Sequence, residues 1–281
     1  MQTHEEKMLY KTANNIRQGA LTAVHSAKSG HPGGSLSIAD LMAYLYFHEM
    51  NVSAETPHDD NRDRFVLSKG HASPALYATL AEKGFFPKEE LLNFRHVGGL
   101  LQGHPDMKHV PGVDMSTGSL GQGISAACGM ALAAKAMHKN YRVFAVLGDG
   151  ELEEGQVWEA AMFAAHKNLD NLIAIVDNNN LQIDGKISDV CSPYPIDEKF
   201  KAFNWHVICV DNAHDMSQLD AAFTKAKALS GKPVVIIQKS VKGKGVSFME
   251  NNAAWHGNAP SDEQFAQAMA ELKAAAEEWE G

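Results

Sequence analysis

The stretch from Arg142 to Gly185 constrains the fold more than any other part of the chain. Two short apolar runs, Arg142–Leu147 and Leu172–Val176, are rich in β-branched residues, the pattern of strands buried on both faces. Between them, Glu151 to Asn168 repeats Leu152, Val157, Ala160, Ala161, Ala164 and Ala165 at helical spacing. Strand, helix, strand makes a βαβ unit, so the two strands are predicted to run parallel. Gly148-Asp149-Gly150 closes the first strand, and Asp177-Asn178-Asn179-Asn180-Leu181 closes the second. Both segments then emerge at carboxyl ends of strands, where open parallel sheets bind ligands. An acid between glycines, converging with an amide, suits a hard cation bridged to a phosphate, because magnesium takes oxygen ligands and few carboxylates. Gly148 and Gly150 let the backbone approach the anion. The start of the helix is expected to add N–H donors and a positive dipole end. Alone, Asp149 reads as an ordinary turn acid; the Asn run on the next strand moves the reading to a ligand site.

The rest of the chain continues the alternation. Arg64–Ser68, Trp205–Val210 and Pro233–Gln238 read as further strands, with helices over Glu5–Lys28, Ser119–Lys139 and Ser217–Leu229 and from Ser261 onward. The expected fold class is α/β, a mostly parallel sheet with helices on both faces, in one domain over residues 1–281. No apolar run approaches the ~18 residues of a membrane span, and the amino terminus lacks a secretory pattern. Cys128, Cys191 and Cys209 show no metal spacing, so a reducing, cytoplasmic setting is the default. A net charge of −9 argues against a nucleic-acid surface. It also means that an anionic substrate needs local positive charge, and arginine is scarce.

Local signals are read as follows. Ser29-Gly30 ends the first helix with a glycine cap. Ser37 with Asp40 reads as a capping box, followed by a core stripe of Ile38, Leu41, Met42 and Leu45. Ser73-Pro74 reads as a helix start. Residues 96–118 form a long glycine-containing loop of the kind that is often functional. The small-residue helix after it implies close approach of something, with packing inside the domain as plausible as a cofactor or a neighbouring subunit. The loop Lys239–Gly245 could meet phosphate, although solvated lysines are the commoner explanation.

Four of the 14 histidines share one local setting, beside glycine in a loop: His31, His71, His104 and His256. Singly, each reads as a loop residue with a satisfied ring. Together, four such loops suggest a pocket lined by imidazoles, suited to hydroxyl-rich substrates and proton transfer. A metal cluster is the weaker reading, since none shows helical ligand spacing.

These segments together resemble transketolase. Gly148-Asp149-Gly150 with Asn178-Asn179 is similar to the thiamine-diphosphate signature. Ser29–Gly33, Ser68–Ala72, Gly103–Pro105, Thr117–Gly123 and Trp255–Gly257 match further segments of that family. The resemblance implies that Asp149, Asn179 and the Leu181 carbonyl hold Mg2+ (or Ca2+ or Mn2+), bridging the diphosphate of thiamine diphosphate. It implies cofactor contacts from His71, Gly118, Leu120, Gly148, Asp149, Gly150, Glu154, Glu159, Asn179 and His256, donor-sugar contacts from His31 and His104, and catalytic duty for the four imidazoles. Glu154 and Glu159 match acids near the subunit contact between paired sites. Ser119 departs from a common Pro, and Asn212-Ala213 from a simpler glycine turn. Full transketolases carry pyrimidine-binding and carboxyl-terminal domains that are absent here. The resemblance therefore implies an amino-terminal subunit acting on sugar phosphates with a partner polypeptide, as an α2β2 assembly, without nucleic acid or membrane. A deoxyxylulose-phosphate synthase-like enzyme, or a transketolase for an unusual branched sugar phosphate, is the alternative with the same cofactor. A non-enzymatic diphosphate sensor is disfavoured by the four His loops, and a dehydrogenase by the lack of G-x-G-x-x-G.

Overall fold

The computed structural model describes residues 3–277. In chain order its elements are α1 (Thr3–Ser26), α2 (Pro32–Leu36), α3 (Ala39–Tyr44), β1 (Arg64–Leu67), α4 (Ser73–Glu82), α5 (Gln122–Ala136), β2 (Val143–Gly148), α6 (Gly155–His166) and β3 (Leu172–Asn178). A small hairpin, β4 (Leu181–Gln182) and β5 (Gly185–Lys186), leads to α7 (Ile187–Val190) and α8 (Ile196–Ala202). The chain ends with β6 (His206–Val210), α9 (Met216–Lys227), β7 (Val234–Lys239) and α10 (Asp262–Glu277).

Five strands form one sheet in the order β1-β2-β3-β7-β6, every pair parallel. The expected βαβ unit is present: Val143 lies opposite Leu172 and Gly148 opposite Asp177. Strand residues alternate between two apolar layers. Phe144, Val146, Ile173, Ile175, Val234 and Ile236 join residues of α1, α3, α4 and α9 on one face. Val143, Ala145, Leu147, Leu172, Ala174 and Val235 join residues of α5, α6 and α8 on the other. Both faces are thus covered, which is why these strands read as continuous hydrophobic runs. A third cluster ties α10 to α1 and to the segment after β7 through Leu21, Leu36, Val246, Met249, Ala268 and Leu272. Among the described residues, no helix is long and apolar enough to cross a membrane.

Four local expectations change. The helix after Asp149 begins at Gly155; residues Gly150–Glu153 form a separate 3-10 turn. Glu151 turns back to accept from the Gly148 and Gly121 amides, which holds that turn away from the helix. The left-handed residue ending α1 is Lys28, at φ +49°, and the Ser29 amide closes a six-residue turn onto the Val24 carbonyl. Ser37 caps nothing: its hydroxyl is drawn to Asp177 at 2.7 Å, and Asp40 pairs with Arg17 and His214. Ser73 is already helical and donates to the Gly103 carbonyl at 2.8 Å. In the serine cases a tertiary partner outcompetes the local cap.

Candidate active site

A cavity of about 110 Å3 opens at the carboxyl ends of β1, β2, β3 and β7. Of the residues singled out from the sequence, His71, Leu120, Gly148, Asp149, Gly150, Asn179, Leu181 and His256 line it. His31 stands against this wall, its ring 5.3 Å from that of His71 and 5.5 Å from that of His256. The His71 and His256 rings stack at 5.0 Å, and exposed His104 lies 6.4 Å from His31. The four histidine loops therefore converge. Gly118 sits behind the His104 ring, where a Cβ would come within 3.0 Å of His104 Cδ2. Glu154 and Glu159 lie exposed outside the cavity, at the start and on the outer side of α6.

The cavity also holds groups that the sequence did not single out. Lys69, 2% exposed, extends from the end of β1 to Asp177 at 2.5 Å. Asp177 also accepts from Ser37, Ser240 and the Asn179 amide. Burial pushes its carboxyl up, but the Lys69 charge and the hydrogen bonds from Lys69, Ser240 and Ser37 outweigh this and hold it below the usual range. Glu151 is buried and accepts from the Ser68 hydroxyl and the amides of Gly121 and Gly148, joining three loop starts. Lys242 is 2% exposed and donates to the Leu181 carbonyl and to His256 Nδ1, each at 2.9 Å. Burial and the charge of Lys69 lower its ammonium to about 8. An ammonium can only donate, so His256 Nδ1 is the acceptor and its proton sits on Nε2. Nothing local marks Lys69 or Glu151, and at Lys242 the sequence left phosphate contact and solvation both open; only the fold buries all three.

The imidazoles are uncharged at neutral pH. Burial, then Arg95, His104 and Lys242, lowers His31 to about 4. Burial, then Lys242, His31 and Lys69, lowers His256 to about 3. Burial, then Lys69 and the other neighbours, pulls His71 well down, and partial desolvation with the charge of Arg95 lowers His104, whose ring stays largely open to solvent. Each ring then offers one donor and one acceptor, and His31 Nδ1 is buried with no partner.

The phosphate end suits a cation. Asp149 is buried, and its carboxylate accepts from the Gly150 and Asn180 amides. Burial, then the charge of Asp177, pushes its carboxyl up to about 7, so its negative charge is under-compensated. One carboxylate, one amide oxygen and one main-chain carbonyl make a hard oxygen donor set that leaves positions for phosphate and water. Among the described residues, no cluster of three His, Cys, Asp or Glu side chains could hold a metal alone, so a cation here needs ligand oxygens from elsewhere. Gly148 lines this space, and a Cβ there would come no nearer than 3.9 Å to a neighbouring atom, the Lys69 Cβ.

An all-parallel α/β sheet whose strand ends present glycine turns and oxygen groups beside a wall of neutral imidazoles is the architecture of a diphosphate-binding domain. The chain belongs to the transketolase thiamine-diphosphate-binding domain family, whose model matches residues 9–278. It is 46% identical over 265 residues to the 6-deoxy-6-sulfo-D-fructose transketolase subunit of Clostridium sp. strain MSTE9, covering 94% of this chain and 96% of that one. It is 47% identical over 253 residues to the transketolase of Mus musculus, covering 89% of this chain and 39% of the mouse protein. The solved transketolase of Campylobacter jejuni superposes with a TM-score of 0.89 at 33% identity, covering 97% of this chain and 45% of that one. The chain thus spans less than half the length of these full transketolases.

Proposed function

We propose that this chain is the amino-terminal subunit of a transketolase, moving a two-carbon ketol unit from a ketose phosphate to an aldose phosphate together with a partner polypeptide. The observation that carries the reading is the meeting, at one cavity, of Asp149, Asn179 and Leu181 with the imidazoles of His31, His71 and His256. Bound thiamine diphosphate supplies the electron sink for carbon–carbon cleavage. Asp149, the Asn179 amide oxygen and the Leu181 carbonyl would hold Mg2+, Ca2+ or Mn2+, the bare backbone at Gly148 and Gly150 would leave room for the diphosphate, and Lys242 would donate to it. His31 and His104, held neutral, are suited to exchange hydrogen bonds with sugar hydroxyls, and His256, with its proton on Nε2, to hold or move a proton near the reacting carbon. Glu154 and Glu159, on the surface, would face a neighbouring subunit in an α2β2 assembly. None of the five arginines of the chain lines the cavity, so the sugar's phosphate would be met mainly by the partner.

The test has two parts. The purified chain is titrated with thiamine diphosphate, with and without magnesium, in the presence of the partner. Ketol transfer from xylulose phosphate to ribose phosphate is then assayed with the chain alone and with the partner. Metal-dependent binding, with activity only in the mixture, is expected. Transfer by the chain alone would remove the split-subunit reading, and metal-independent binding would remove the ligand assignment.

A further inference from the structure

His214 lies outside the cavity, in the connection between β6 and α9, and the reading above does not use it. Its side chain, 9% exposed, joins parts of the chain that are distant in sequence. Nδ1 is 2.7 Å from Asp40 Oδ2 on α3. Nε2 is 2.9 Å from the backbone nitrogen of Val241. An amide nitrogen has no lone pair to offer, so it donates and Nε2 accepts. The ring proton therefore sits on Nδ1 and is donated to Asp40. Arg17 of α1 pairs with the same carboxylate oxygen. Burial pushes the Asp40 carboxyl up, but the Arg17 charge and the His214 hydrogen bond outweigh it and hold the group ionised.

A relay thus runs from Arg17 through Asp40 and His214 to the Val241 amide. The next residue is Lys242, which reaches into the cavity. The carboxyl side of Lys242 has its own ties: the Asn251 amide donates to its carbonyl at 2.9 Å, and the Gly243 amide donates to Gly33 at 3.0 Å. On the amino side, the Ser240 amide reaches the Asn178 carbonyl at 3.1 Å, and His214 supplies the tie at Val241 itself. We infer that His214 is a positioning residue. Locked as the Nδ1–H tautomer by Asp40 and Arg17, it fixes the backbone at Val241 and so aims the Lys242 ammonium. What Lys242 faces rests on the functional reading above; the relay does not.

Two substitutions separate the ring nitrogens. In His214→Asn the side-chain amide takes the place of Nδ1 and keeps Asp40 paired, while nothing reaches Val241. In His214→Gln the longer amide reaches the place of Nε2, and its oxygen accepts from Val241. Hydrogen exchange over residues 239–249 and thiamine-diphosphate affinity with magnesium are measured on the full chain with its partner. His214→Asn should exchange that segment about tenfold faster and bind the cofactor about 5- to 50-fold more weakly, the range expected for losing one buried backbone hydrogen bond. His214→Gln should restore both to near the parent values. Nitrogen-15 spectra of the parent protein should show His214 protonated at Nδ1 and bare at Nε2, a readout that needs no variant to fold. A protonated Nε2, or Asn and Gln variants that behave alike, would overturn the assignment. If the parent protein fails to bind thiamine diphosphate while exchange and spectra follow the pattern, the functional reading falls and the relay stands.

Discussion

Lys69 and Asp177 form a buried pair at the floor of the site, 2% and 0% exposed. Removing one partner of such a pair leaves an uncompensated charge and costs about 3–5 kcal/mol. Lys69→Met should lower the urea midpoint of unfolding accordingly. Asp149 should behave in the opposite way. Its carboxyl is raised from 3.8 to about 7, so its charge is unfavourable in the folded protein when no cation is bound. The sign follows by linkage: stability is fully present below about pH 4 and falls as pH rises through about 7. Asp149→Asn should therefore match or exceed the parent in urea midpoint at pH 8 without cofactor, while losing magnesium-dependent binding of thiamine diphosphate. Lower stability together with retained binding would contradict the ligand assignment. The two acids also show what a sequence can and cannot disclose. Asp149 was legible because glycines flank it and an Asn run follows one strand later. Asp177 and Lys69 were not, because their roles come from a pairing across 108 positions that no spacing rule reaches.

At the scale of elements, the α5 glycines differ in what they do. A Cβ on Gly123 would lie 2.6 Å from Ser68 Cα, whereas Gly129 has nothing within 4 Å. Alanine raises helix propensity by about 1 kcal/mol at either site. At Gly123 that gain is set against a clash with backbone, for which overpacking costs about 1–3 kcal/mol or more. Gly123→Ala should therefore lower the melting temperature and Gly129→Ala raise it. Equal shifts would mean that α5 does not rest on the end of β1. The elements themselves were legible: five strands, their parallel sense and most helices follow from periodicity and β-branching. Their ends were less so. α6 starts at Gly155 because Glu151 is committed to the Gly148 and Gly121 amides, and Ser37 and Ser73 leave their capping roles for partners brought by folding.

For the molecule as a whole, the imidazole wall predicts a response to acid. His31 at about 4 and His256 at about 3 bind protons more weakly folded than unfolded. Their contribution to stability is complete above the ordinary value of 6.5 and is lost as pH falls from there through 4. The urea midpoint without cofactor should fall over this window, and His256→Asn should flatten the fall. A parallel profile for the variant would mean that the ring is charged at pH 5. The wall is also mounted differently from the opposite side of the site. Asp149 and Asn179 are carried by β2 and β3, whereas His104 is carried by α4, through Ser73 on the Gly103 carbonyl and Tyr77 on that of His104 at 2.8 Å. Drift in the irregular segment around His104 can thus reshape the sugar-facing side while the strand tips stay in register. Under the proposed function, lineages built on this plan are free to change their carbohydrate while keeping one inherited grip on the vitamin.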